Sequence, residues 1–150
     1  MTTKKKVYLA SFLAPMLIML VAWIIDGFFP FGAKSLMAVD FNAQYIGLYA
    51  YFKHLFLNGD WSSFFYSFSK SIGGGMLGIW GFNLLSPFNF LFLLFSEENF
   101  QWVVPVTIAL RYGTMGLTMT HFLVKRYDGL KKKAYLLPIV ATIYALNGFN

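Results

Sequence analysis

Val7–Ile25 is the stretch that most narrows what this chain can become: 19 residues with no charged side chain. As an α-helix rising about 1.5 Å per residue it would be about 28 Å long, close to the roughly 30 Å hydrocarbon core of a bilayer. A signal peptide would have a shorter apolar region, about 7–15 residues, closed by small residues at its cleavage site. Here the run closes in Trp23-Ile24-Ile25-Asp26, a poor cleavage site. The run therefore reads as an uncleaved span, with Pro15 as a kink point and Trp23 at the far interface.

Composition points the same way. Hydrophobic residues make up 58% of the chain and charged residues 12%, against about 25% charged in a soluble domain. The fold class expected is all-α integral membrane protein, with the lipid bilayer as its first partner. The net charge of +6 would suit nucleic acid if it were spread over a surface. It is not: eight of the twelve basic residues lie in Lys4–Lys6 and Lys125–Lys133, beside apolar runs. That placement is a topology signal, and no nucleic-acid partner is expected. The absence of cysteine excludes a disulfide framework and any thiolate metal site.

Two more runs complete the membrane reading. Val103–Val124 is expected as the second span, and Ala134–Asn150 as a third, incomplete one. Both basic clusters belong on the cytoplasmic side, so an even number of crossings must separate them. The expectation is a multi-pass protein with a cytoplasmic N-terminus and residues 26–102 as one long outer loop. The apolar stretch Phe82–Phe95 has only 14 residues and contains Pro87, Asn83 and Asn89, so residues 77–95 are expected as a helix lying along the interface. The chain stops inside an apolar run at Asn150, which reads as the N-terminal piece of a larger polytopic protein. All 150 residues are taken as one membrane domain.

The outer loop opens with the turn segment Phe28-Phe29-Pro30-Phe31-Gly32. A two-faced interfacial helix is expected over about 40–57. Asp40, Gln44, Gly47, Tyr51, His54 and Asn58 recur at helical spacing and form a polar stripe, beside an apolar stripe of Phe41, Tyr45, Leu48, Phe52 and Leu55. Asn58-Gly59-Asp60 ends the helix. Trp61–Ser71 shows no clear period. Gly73-Gly74-Gly75 lacks the Gly-Lys-Ser/Thr ending of a phosphate loop and reads as a close-packed turn.

Few residues could carry chemistry. Asp40 has two compatible roles: helix N-cap, or general base or cation ligand at the outer face. Arg111 has three open roles: snorkelling to the interface, holding the phosphate or pyrophosphate of a lipid substrate in its planar fork, or pairing with Asp40 or Asp26. His54 and His121 fall on opposite sides in this topology and cannot share a metal. Glu97 and Glu98 are adjacent and read as solvated.

Pro30-Phe31-Gly32, Ser35-Leu36, Asp40 with Gln44-Tyr45, Tyr66-Ser67-Phe68, Gly73-Gly74-Gly75-Met76-Leu77-Gly78 and Leu85-Ser86-Pro87-Phe88-Asn89 together resemble the N-terminal region of the YfhO family of bacterial membrane proteins. That resemblance implies a GT-C-like glycosyltransferase of the bacterial cell membrane. Such an enzyme would move a sugar from a polyprenyl-phosphate donor to a cell-wall polymer of the lipoteichoic-acid type on the outer face. It places Asp40 at the acidic catalytic position of the first outer loop, where a divalent cation, if the chemistry uses one, would also bind. Arg111 falls where a basic residue of the second span is expected. Gln44, Tyr45, Tyr51 and His54 would line the substrate site. The alternative is a non-enzymatic transporter or lipid-handling scaffold for envelope assembly.

Overall fold

A computed structural model describes residues 3–38, 44–68, 72–127 and 134–147. In chain order the main elements are α1 (Thr3–Asp26), α2 (Ile46–Asn58), β1 (Tyr66–Ser67), β2 (Gly74–Gly75), α3 (Phe100–Arg126) and α4 (Leu136–Ala145). The chain divides into two compact units, one of Met1–Ala33 with Ile108–Asn150 and one of Lys34–Thr107.

In the first unit, α1 carries the expected span. Lys4–Asp26 is the one helix among the described residues that is long and apolar enough to cross a membrane. Leu9, Leu13, Leu17, Ile18, Val21, Ile24 and Ile25 all face outward on it, an arrangement suited to lipid. The expected second span falls inside α3, which has ample length but is less apolar: Thr107, Arg111, Thr114, Thr118, Thr120 and His121 interrupt it. The expected third span is described as α4, ten residues of high apolarity.

Small residues let these helices approach. α4 packs along α1 and buries Leu137, Ala141, Thr142 and Ala145 while Ile139, Val140 and Ile143 stay exposed. On α3, Gly113 and Gly116 face α1. A Cβ on Gly116 would lie 2.2 Å from the Ser11 carbonyl oxygen and 3.1 Å from Pro15 Cγ. Pro15 has no N–H, so it cannot make the i→i+4 bond to Ser11 O. A glycine Cα–H of α3 stands against that carbonyl instead, a weak hydrogen-bond geometry common where helices touch.

The second unit is held by aromatic side chains. Trp80 is fully buried, its ring stacked on Phe64 at 4.7 Å between centroids and tilted against Phe52 at 6.0 Å. Its indole N–H donates to the Phe64 carbonyl. Tyr49 of α2 stacks on Phe92 at 4.1 Å, and Phe92 meets Phe100 edge-on at 4.9 Å. Aromatic pairs of this kind add about 0.5–1.5 kcal/mol each beyond their buried area. The buried line of α2 is accordingly Tyr49, Phe52 and Leu55. This differs from the apolar stripe read from spacing: Tyr49 replaces Leu48, because Phe92 offers Tyr49 a stacking partner.

Two further expectations are modified. Residues 77–95 are not one helix. They form a helical turn at Leu77–Ile79, a π-turn at Trp80–Leu84, a 3₁₀ turn at Pro87–Phe90 and a last turn at Leu91–Leu94. Pro87 explains the break, since it disfavours helical backbone at Ser86, which is extended (ψ 132°). The stretch without clear period supplies β1 of a small hairpin and the glycine run supplies β2, with Tyr66 opposite Gly75 and Ser67 opposite Gly74. Gly73 makes its turn at φ +103°, with the Tyr66 hydroxyl where a Cβ would be.

Candidate functional site

The polar stripe of α2 opens onto a groove of about 320 Å³. Gln44, Gly47, Leu48 and Tyr51 form one wall, and Ser67, Met76 and Ile79 the other. Helical spacing brings Gln44, Gly47 and Tyr51 to one side of α2. Gly47 has nothing within 4 Å of its would-be Cβ, so it widens the groove. The opposite wall comes from the hairpin, extended by Met76 N–H donating to Phe65 O at 2.8 Å.

Tyr51 is fixed: its hydroxyl donates to the Ser63 carbonyl at 2.6 Å. The phenolic oxygen keeps its acceptor capacity, so it can receive a hydrogen bond from a ligand hydroxyl. Gln44 is exposed at the rim and offers both donor and acceptor. Leu48, Met76 and Ile79 supply an apolar floor. The described lining has no charged group, so it suits a neutral, hydroxyl-bearing ligand more than an ion. Its size sits at the small end of the roughly 300–1,000 Å³ of small-molecule sites.

The other expected residues are placed as follows. His54 lies one turn beyond Tyr51 and is exposed, and the Asn58 amide donates to its Nδ1 at 2.8 Å. Tyr45 is tilted toward Tyr49, 6.5 Å between rings, and is not among the groove's described lining. Arg111 is half-buried on the part of α3 that belongs to the first unit. Asp40 lies outside the described residues, and α2 is described only from the π-turn at Gln44–Tyr45 onward. Among the described residues no three carboxylate or imidazole groups gather as a metal site.

Ser67, Met76 and Ile79 were missed by reading the sequence. Ser67 and Met76 reach the groove through the hairpin register, and Ile79 through the helical turn after it; two-residue strands leave no periodic signal. The glycine run was the available hint, since it marks a turn that could fold Met76 back beside Tyr66-Ser67.

The C-terminal end of α2 is held by local bonds. Gly59 adopts the left-handed conformation (φ 66°) and its N–H reaches Leu55 O. Asp60 then accepts hydrogen bonds from the Ser62 and Ser63 hydroxyls, at 2.5 and 2.6 Å. These bonds, Ser62's first, hold its pKa below the ordinary 3.8. A carboxyl depressed in the folded state contributes fully above its unfolded pKa, and that contribution is lost as pH falls through the folded value. Amide protection at Ser62–Phe64 should therefore be constant above about pH 4 and decline below it. Asp60→Asn should remove the decline. Identical pH profiles for the two proteins would show that Asp60 does not hold the turn.

A family model described as bacterial membrane protein YfhO matches residues 11–150. No curated protein and no solved structure matches the chain.

Proposed function

The chain belongs to the YfhO family of bacterial membrane proteins, and from that premise we propose that it serves a lipid-linked glycosyl transfer at the outer face of the membrane. The donor is a polyprenyl-phosphate sugar and the acceptor a hydroxyl of a cell-wall polymer. Asp40 accepts the proton of that hydroxyl while its oxygen attacks the anomeric carbon. The bond from that carbon to the phosphate oxygen breaks, and the lipid phosphate leaves with the electron pair. Arg111 stabilises the phosphate charge.

The observation that carries this reading is the groove of α2. Its polar members are neutral donors and acceptors, its floor is apolar, and Gln44 follows Asp40 by four residues in sequence. A sugar presents hydroxyls at its rim and C–H groups on its faces, which match those two kinds of surface. The length and apolarity of α1 suit a donor that is itself anchored by a lipid.

Gln44→Ala and Tyr51→Phe, made in the native protein, test the groove. Each removes a neutral hydrogen bond of about 0.5–1.5 kcal/mol. The KM for the donor should rise about two- to tenfold with kcat little changed, the sign of lost ground-state binding. If both variants transfer sugar with wild-type KM, the groove is not the sugar site. If no transfer activity exists and lipid export falls in these variants, the transporter or scaffold reading replaces this one.

A further inference from the structure

A second groove, also of about 320 Å³, lies at the C-terminal end of α3, lined by Thr118, His121, Phe122, Lys125 and Arg126. These residues fall at i, i+3, i+4, i+7 and i+8 and so share one helix face. We propose that this groove binds the phosphate headgroup of an anionic glycerophospholipid. The inference is independent of the transfer reading and of the α2 groove.

Charge is the first reason. Lys125 and Arg126 are exposed, and among the described residues no carboxylate pairs with either; Arg126 stands only over the Tyr127 ring, 5.9 Å away. The Tyr8 hydroxyl lies 3.5 Å from His121 Nδ1. That contact brings the start of α1, with exposed Lys4, Lys5 and Lys6, to the same end of the unit. Asp26 is the described carboxylate of this unit, and it sits at the opposite end of α1, about 27 Å from Tyr8 along the helix. Cations therefore crowd one end with nothing described to neutralise them.

Shape and apolarity supply the second reason. A free phosphate would need only donors. This groove also contains Phe122, which is 54% exposed. A lipid meets both demands: phosphate against the guanidinium fork and the ammonium group, glycerol and upper acyl chain along the ring. The Thr118 hydroxyl donates to Met115 O at 3.0 Å, so it faces the ligand as an acceptor and suits a glycerol hydroxyl.

Native mass spectrometry of the protein from detergent, titrated with phosphatidylglycerol, phosphatidylcholine and inorganic phosphate, tests this. One phosphatidylglycerol should be retained in preference to phosphatidylcholine, and inorganic phosphate should not displace it. K125Q/R126Q should weaken retention about thirtyfold, at about 1 kcal/mol per basic side chain near an anionic surface and 1.4 kcal/mol per tenfold. Both side chains are exposed, so the variant should keep the wild-type helical circular dichroism. Equal retention of the two lipids would overturn the proposal, as would wild-type retention in K125Q/R126Q. Displacement by inorganic phosphate would assign the groove to the free anion instead.

Discussion

Asp40→Asn in the native protein should lower sugar transfer by about a hundred- to ten-thousandfold, the usual contribution of a positioned general base. The substitution keeps the shape of the side chain and removes only its ability to hold the acceptor's proton. Asn is also as good an N-cap as Asp, so donor binding should stay within about twofold of wild type. A steady-state assay with a polyprenyl-phosphate sugar, paired with a direct donor-binding measurement, separates the two effects. Wild-type turnover in Asp40→Asn would remove Asp40 from the chemistry. Loss of donor binding together with turnover would make it a ligand for substrate or cation rather than a base.

The second large effect concerns stability. Gly116→Ala would drive a methyl into the Ser11 carbonyl, 2.2 Å from the new Cβ, and that atom is backbone. Neither helix can yield without parting from the other, so the cost should be about 1–3 kcal/mol at least. In thermal unfolding that is a Tm lowered by about 2–12 °C for a chain of this size. Gly113→Ala is the matched control. Its Cβ would meet Met16 Sδ at 2.7 Å and Phe12 Cε2 at 2.8 Å, the far ends of side chains that can turn aside. Ala also favours the helix by up to about 1 kcal/mol over Gly, so Gly113→Ala should be near neutral. If Gly116→Ala proves as stable as Gly113→Ala, the two helices do not meet through that glycine.

Some of this was legible in the residues alone. The length and apolarity of Val7–Ile25 led directly to α1, and the end of α2 at Gly59 followed from one glycine placed where a left-handed cap is needed. Gln44, Gly47 and Tyr51 were placed on one face by spacing, and that face lines the groove. The parts that were not legible depend on contacts distant in sequence. Tyr49 is buried because Phe92 is there to stack on it, and Trp80 is central because Phe64 and Phe52 converge on it; no local pattern encodes either meeting. The hairpin that completes the groove rests on two residue pairs, too few to show a period of two. The interface reading of residues 77–95 took the apolar run as one element, whereas Ser86-Pro87 divides it. Arg111 and His121 could be singled out by their scarcity, but only the arrangement of α3 shows that His121 stands beside Tyr8 and shares a groove with Lys125 and Arg126.

The carbonyl of Ser11 has a consequence for how the protein is made. Pro15 denies it a helical partner from the moment α1 forms, and in a bilayer an unsatisfied backbone group costs several kcal/mol. The glycine that covers it, Gly116, is about a hundred residues further along, which at roughly 5–20 residues per second means about 5–20 seconds of synthesis. For that interval the Ser11 carbonyl lacks the cover that Gly116 gives it in the folded chain. A helix placed in a bilayer at that stage would need that spot shielded or kept near water until the later glycine arrives.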